Sequence, residues 1–213
     1  FKKMSCFLVL LAAGNSKRLN SAIPKPFQKV NNKTLLEHSL NAFKDLDVIK
    51  KVVVVYNKKH KKYINKIKLK NILKITGGLT RQQSTLIALR KIQKLNCRKV
   101  LIHDAARPLV SKKLIKTIIF KLKNNHAVIP IVTVNDSSKR IKNNTIFKNI
   151  DRNNLRFSQT PQGFTCSKIL NKHLKYKNDL IDDDASLFVK DNEKVCLVIG
   201  DKKNFKVTNQ EDL

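Results

Sequence analysis

No apolar run in this sequence approaches the roughly 18 residues that a membrane-spanning helix needs, which argues against a membrane protein. There is no Cys-x-x-Cys: Cys6, Cys97, Cys166 and Cys196 lie far apart, and Cys6, Cys97 and Cys196 sit in apolar, strand-like contexts. Reduced, mostly buried thiols in a cytoplasmic protein are therefore expected, rather than disulfides or zinc ligands. The five histidines show no ligand spacing either. Neither Gly-x-x-x-x-Gly-Lys-Ser/Thr nor Gly-x-Gly-x-x-Gly occurs, so P-loop and dinucleotide-binding fingerprints are missing. No persuasive Ser/His/Asp or Cys/His arrangement for nucleophilic catalysis stands out. Acidic residues are scarce, 15 against 45 basic ones, for a net charge of +30. Such an excess invites a nucleic-acid reading. The lysines, however, are spread along the whole length, and Asn and Ile are abundant too, as an AT-rich coding background would produce. No specific nucleic-acid partner is expected from so diffuse a footprint.

Scarcity makes what remains more informative. Only 8 of the 45 basic residues are Arg, whose planar fork grips phosphate in a way Lys does not. The 5 glycines each mark a candidate position where the backbone tolerates nothing larger.

At 213 residues the chain suits one α/β domain, taken as residues 1–213, with truncation at either end left open because it begins with Phe1. Lys2 and Lys3 before the apolar run Cys6–Ala13 mimic a signal peptide, but the run is short and flows into a Gly/Arg/Lys loop; it reads as a buried first strand. Further strand-like runs are Lys51–Val55, Ile72–Ile75, Lys99–His103, Ala127–Val134 and Lys194–Ile199. Helix-like segments lie between them. Thr34–Leu46 places Leu35, Leu36, Leu40 and Phe43 on one face; Thr80–Leu95 opens with Thr80 and Gln83 in capping-box spacing; Ser111–Leu122 starts at a serine cap. This alternation predicts a Rossmann-like fold, a mostly parallel twisted sheet with helices on both faces. Ligands in such folds sit beyond the carboxyl ends of the strands. Residues 135–160 break the rhythm and predict a projecting β-arm.

Chemistry-bearing residues cluster at those strand ends. The first strand runs into Ala12-Ala13-Gly14-Asn15-Ser16-Lys17-Arg18, followed by Pro24-Lys25. Two readings stand: a phosphate cradle with Arg18 and Lys25 beside it, or a tight turn with surface cations. The third strand leads into Gly77-Gly78-Leu79-Thr80-Arg81-Gln82-Gln83-Ser84, suited to close backbone approach to a base or sugar, or to a plain strand-to-helix turn. The fourth ends in His103-Asp104-Ala105-Ala106-Arg107-Pro108. Asp104 is placed for Mg²⁺ or a ribose hydroxyl, or for a salt bridge to Arg107; His103 reads as strand packing. Later come Asp151-Arg152, Gln159-Thr160-Pro161-Gln162, Asp182-Asp183-Asp184-Ala185-Ser186 and Asn204-Phe205-Lys206-Val207-Thr208.

In this order, from Ala12 to Leu213, the segments resemble the 2-C-methyl-D-erythritol 4-phosphate cytidylyltransferases of the non-mevalonate isoprenoid pathway. Each motif alone is common; the ordered set is specific. The resemblance implies transfer of CMP from CTP to a methylerythritol phosphate with release of pyrophosphate, with Mg²⁺ as cofactor. It implies that Ala12, Ala13, Gly14, Gly78 and Ser84 frame the cytosine and that Asp104 and Ala105 meet the ribose and substrate region, Asp104 also serving any metal. Arg18 and Lys25 would hold the triphosphate. Arg107, Ser137, Arg152, Thr160, Asp182 and Lys206 would line the sugar-phosphate site. It also implies a homodimer built on the arm, with Arg152 reaching the neighbour's site. The sequence departs from the family pattern at Ser16, where glycine is common, and at Ser137 and Asp182, where threonines are common. The residue types suit the reaction: a phosphate monoester is largely a dianion at neutral pH and needs no general base, so the demand is for cations that bring two polyanions together. Three rival readings stand beside it. They are a cytidylyltransferase for ribitol or glycerol phosphate, a basic nucleic-acid-binding protein, and one half of a bifunctional enzyme with a second domain of the same pathway.

Overall fold

The computed structural model describes residues 5–14, 21–67 and 72–213. Among the described residues twelve strands are formed, β1 (Cys6–Ala12), β2 (Lys29–Val30), β3 (Lys33–Thr34), β4 (Ile49–Tyr56), β5 (Ile72–Thr76), β6 (Lys99–Asp104), β7 (Ala127–Thr133), β8 (Ser138–Lys142), β9 (Thr145–Ile150), β10 (Arg156–Ser158), β11 (Gln162–Thr165) and β12 (Cys196–Ile199). The helices are α1 (Leu35–Phe43), α2 (Lys61–Lys66), α3 (Arg81–Gln93), α4 (Lys112–Lys121), α5 (Cys166–Lys175) and α6 (Ser186–Lys190). All six predicted strands and the three predicted helices are present, with ends moved by a few residues.

The main sheet runs in the order β10-β7-β11-β6-β1-β4-β5, with β12 also paired to β7. β1 lies between β4 and β6, and all seven of its residues are buried, as its unbroken apolar run requires. Its side chains alternate between layers. Phe7, Val9 and Leu11 join the α3, α5 and α6 side, whereas Cys6 and Leu8 join Phe43 of α1 and the apolar face of α4. The pairings β1–β4, β1–β6, β4–β5 and β12–β7 are parallel; β11–β6, β11–β7 and β10–β7 are antiparallel. The sequence pattern does not predict β11, which lies antiparallel between β6 and β7. It is only four residues long and carries Gly163, where a side chain would press on Ile118 of α4.

Caps set the helix ends. Thr34 and Glu37 form a full capping box on α1, each side chain accepting from the other's backbone N–H. On α3, Thr80 accepts from Gln83 N–H, but the Gln83 amide oxygen accepts from Leu79 N–H instead, so the reciprocal half of the box is displaced by one residue. α1 and α3 stop short of their predicted ends, where Asp45 (φ 62°) and Asn96 (φ 57°) adopt left-handed backbone. No described glycine has positive φ; seven Asn and Asp residues take that role.

The predicted arm at 135–160 is corrected in extent. β8 and β9 form a separate hairpin, turned by Asn143 and Asn144, both left-handed. Arg156–Ser158 instead returns as β10 to pair with β7, because Phe157 finds a backbone partner opposite Val132 in the main sheet.

Candidate active site

The loops after β1, β5 and β6 meet around a cavity of ≈ 370 Å³. Ala12, Ala13 and Gly14 form one wall; Gly78, Thr80 and Ser84 form another. Ser84 is buried, and its hydroxyl accepts from Gly78 N–H at 3.1 Å, fixing the glycine loop to the start of α3. Lys25, buried, lines the cavity from a single helical turn at Lys25–Phe27, and its ammonium donates to the carbonyls of Val207 and Thr208, both at 3.0 Å. The C-terminal segment is thereby tied to the mouth of the cavity.

A second cavity of ≈ 200 Å³ adjoins the first. It is lined by Arg107, Thr160, Asp182 and Asp183, and shares Arg81, Asp104 and Lys206 with its neighbour. On that common wall Asp104 Oδ1 meets Arg81 Nε at 3.3 Å and Oδ2 meets Lys206 Nζ at 2.7 Å. Burial works against the Asp104 charge, but Arg81 and then Lys206 outweigh it and hold the carboxyl well below the usual carboxylate range. The sequence-level alternative, an Asp104–Arg107 salt bridge, does not form. Arg107 donates to the carbonyls of Asn204 at 2.7 Å and Ser158 at 3.4 Å, and its Nε is buried without a partner. Arg107 lines the second cavity, where its guanidinium charge suits an anionic ligand.

His103, at the end of β6, is fully buried against the Phe43 ring. Its Nε2 lies 3.1 Å from the Arg107 carbonyl, which only accepts, so Nε2 carries the hydrogen. Nδ1 then accepts from the Thr160 hydroxyl at 2.9 Å, and that hydroxyl accepts from Asp104 N–H at 3.1 Å. Burial pushes His103 down to about 4. It is a neutral strut with both nitrogens engaged, as the packing interpretation expected, and it fixes Thr160 and the Asp104–Arg107 turn.

The family model for IspD, 2-C-methyl-D-erythritol 4-phosphate cytidylyltransferase, matches residues 6–213. The chain belongs to the 2-C-methyl-D-erythritol 4-phosphate cytidylyltransferase family. A bifunctional IspD/IspF enzyme of Pelagibacter ubique is 42% identical over 98% of this chain, and a second from Wolbachia pipientis is 35% identical over 100%. The chain spans about half the length of these two relatives, 56% and 55%. It spans 93% of a cytidylyltransferase of this family from Bacillus cytotoxicus that is 35% identical over 97% of this chain. The crystal structure of 4-diphosphocytidyl-2C-methyl-D-erythritol synthase from Anaerococcus prevotii aligns with a TM-score of 0.86 at 28% identity, covering 99% of this chain and 93% of that one.

Most of the described residues singled out in the sequence line one or other of the two cavities. Ala12, Ala13, Gly14, Lys25, Gly78, Ser84, Asp104 and Lys206 share the first cavity, and Arg107, Thr160 and Asp182 join the second. Arg18 falls outside the described residues. Ala105 is corrected: it is fully buried behind the wall, its carbonyl accepting from the Ser39 hydroxyl at 2.9 Å, and Ala106 lines the cavity instead. Ser137 and Arg152 lie at the base of the hairpin and line neither cavity; Arg152 donates to the Asn135 carbonyl at 2.5 Å. Arg81, within the Gly-Gly motif, has no role implied by the sequence, yet it lines both cavities. Its rarity in a lysine-rich chain was the available signal.

Proposed function

We propose that this chain transfers the cytidylyl group of CTP to 2-C-methyl-D-erythritol 4-phosphate, giving 4-diphosphocytidyl-2-C-methyl-D-erythritol and pyrophosphate. The observation that carries this reading is the pair of adjoining cavities with Arg81, Asp104 and Lys206 on their common wall, in a chain of this family. The first cavity presents Lys25, Arg81 and Lys206 against a single carboxylate, a cationic balance that suits a triphosphate. The second mixes Arg107 with Asp182 and Asp183, which suits a ligand with hydroxyls to donate and a phosphate to accept.

In the reaction an oxygen of the sugar phosphate attacks the α-phosphorus of CTP. The new P–O bond forms as the bond to the bridging oxygen breaks, and pyrophosphate leaves with the electron pair. The attacking dianion requires no base, in keeping with a neutral, fully engaged His103. Lys25, Arg81 and Lys206 screen the two polyanions and stabilise charge as the leaving group departs.

Mg²⁺ is commonly bound through one or two carboxylates plus substrate phosphates rather than by a protein cage. The described residues contain no group of three or more His, Cys, Asp or Glu that could hold a metal alone. Asp104, kept ionised on the wall of the first cavity, fits as one hard oxygen ligand once the half-exposed Lys206 turns toward a phosphate. When bound, Mg²⁺ neutralises the triphosphate and fixes its geometry.

A twofold dimer through the hairpin completes the proposal. Ile141, Ile146, Phe147 and Phe157 are all more than 60% exposed, on and beside a two-stranded unit that is marginal alone in water. The second cavity carries as many carboxylates as cations, so a sugar phosphate needs a further cation, which Arg152 of a second copy would supply. No helix among the described residues is long and apolar enough to cross a membrane, and a cytoplasmic location is proposed from the free thiols. The two bifunctional relatives support a second enzyme domain of the same pathway as neighbour, tested by the genomic sequence around this chain. The central test is pyrophosphate release from CTP and Mg²⁺ with methylerythritol, ribitol and glycerol phosphates in parallel. Release with ribitol or glycerol phosphate alone would reassign the second cavity; release with none would overturn the transferase reading.

A further inference from the structure

Behind the wall that the two cavities share runs a buried series of polar groups. Asp184, just ahead of α6, and His173, on α5, are both fully buried, and neither lines a cavity. His173 Nε2 lies 3.0 Å from Asp184 Oδ1, and Asp184 Oδ2 lies 2.8 Å from Arg81 Nη2, an ion pair rather than a well-aligned hydrogen bond. Arg81 continues the series through Asp104 to Lys206.

A carboxylate only accepts, so His173 donates from Nε2 to Asp184 Oδ1. Asp184 is thereby held between His173 and Arg81. Burial opposes that charge, but Arg81 and the His173 bond outweigh it and keep Asp184 below the usual carboxylate range.

Arg81 is thus gripped from two sides by carboxylates with different duties. Asp104 faces both cavities and must change partners when substrate anions draw Lys206 away. Asp184 is beyond the reach of any ligand. We propose that Asp184 and His173 are positioning residues for the transfer, holding Arg81 fixed between the two substrates while Asp104 and Lys206 re-pair. Their role in catalysis rests on the cytidylyl transfer proposed above; the pairing with Arg81 does not, and is testable without substrate.

The test is a double-mutant cycle on Arg81→Ala and Asp184→Asn, read by both turnover and thermal melting. Asp184→Asn alone is expected to lower kcat/KM about 10- to 100-fold, the range for a misplaced catalytic group. Added to Arg81→Ala it should change kcat/KM less than twofold, because nothing remains for Asp184 to position. In melting, Arg81→Ala strands a buried carboxylate, so the double variant should melt above Arg81→Ala alone. Independent effects on turnover, or a double variant that melts lower still, would overturn the proposal. If Arg81→Ala does not fold, His173 supplies the test. His173→Gln keeps an N–H at the Nε2 position and should stay within about threefold of wild-type kcat, while His173→Leu should lose about tenfold. Equal losses in the two variants would likewise defeat it. A wild-type protein that releases no pyrophosphate with any sugar phosphate, yet shows the melting coupling, would refute the reaction and leave the Arg81–Asp184 pairing intact.

Discussion

Gly77 and Gly14 separate two ways in which a glycine serves this site. A Cβ placed on Gly77 would lie 2.6 Å from Ser84 Oγ, 2.8 Å from Ala13 Cβ and 3.0 Å from Val55 Cγ1. The φ angle is not in the left-handed region, so the backbone accepts alanine; the space does not. None of the three neighbours is the loose end of a long side chain. Ser84 is held by Gly78 N–H, Ala13 has no atoms beyond Cβ, and Val55 is fully buried in the sheet. Overpacking of this kind costs roughly 1–3 kcal/mol, and each kcal/mol lowers Tm by about 2–4 °C in a domain of this size. Gly77→Ala is therefore expected to melt about 2–12 °C below wild type. It should also bind CTP more weakly, because Ala13 and Ser84 are walls of the first cavity, the one proposed to hold the nucleotide. A Cβ on Gly14 meets nothing within 4 Å, yet Gly14 lines the same cavity. Gly14→Ala should keep its Tm within about 2 °C, the span of a change of roughly 0.5 kcal/mol, and lose CTP affinity by filling ligand space. Differential scanning fluorimetry and calorimetric titration with CTP measure both. A Gly77→Ala protein with wild-type Tm and affinity, or a Gly14→Ala protein less stable than Gly77→Ala, would refute the reasoning.

Lowering the pH should destabilise the fold through His103, whose folded pKa of about 4 lies below the unfolded value near 6.5. The unfolded chain takes up the proton first, so this contribution is complete above pH 6.5 and is lost toward pH 4, the loss reaching about 2 kcal/mol by pH 5. Urea unfolding at pH 7.5 and 5 should show a smaller drop for His103→Gln than for wild type; parallel drops would exclude His103 as the source. Lys25→Met keeps the stem but leaves the carbonyls of Val207 and Thr208 without their ammonium donor, which should loosen the segment carrying Lys206. We expect kcat to fall roughly 10²–10³-fold and amide exchange to quicken over 205–208; unchanged turnover would place Lys25 outside the reaction. Mixing inactive Arg152→Ala with inactive Arg18→Ala should restore activity if Arg152 works in the neighbour's site, since one site of the mixed dimer then has neither defect. No recovery despite demonstrated exchange would exclude action in trans. Phe147→Glu on the hairpin should shift the protein to monomer in sedimentation velocity, and persistence of a dimer would move the interface elsewhere.

The sequence by itself determined the layered architecture and which loops meet at the candidate site. Period and caps sufficed for β1, β4, β6 and the helices α1, α3 and α4, because an apolar strand between turn signals and a capped amphipathic helix are local facts. The motif order was enough to bring Gly14, Gly78 and Asp104 together, since loops at the carboxyl ends of adjacent parallel strands converge wherever the strands pair. Tertiary structure alone decided the rest. β11 is a four-residue strand whose placement antiparallel between β6 and β7 depends on partners far away in the chain, and β10 leaves the arm for the main sheet for the same reason. Ala105 and Ala106 are indistinguishable as residue types, and only the turn after β6 decides which one faces the cavity. Arg81 pairs with Asp104 and Asp184, 23 and 103 residues further along the chain. Such pairings follow no periodicity: an ion pair requires two side chains to share a few ångströms of space, and sequence spacing carries no information about that distance once the chain has folded back on itself.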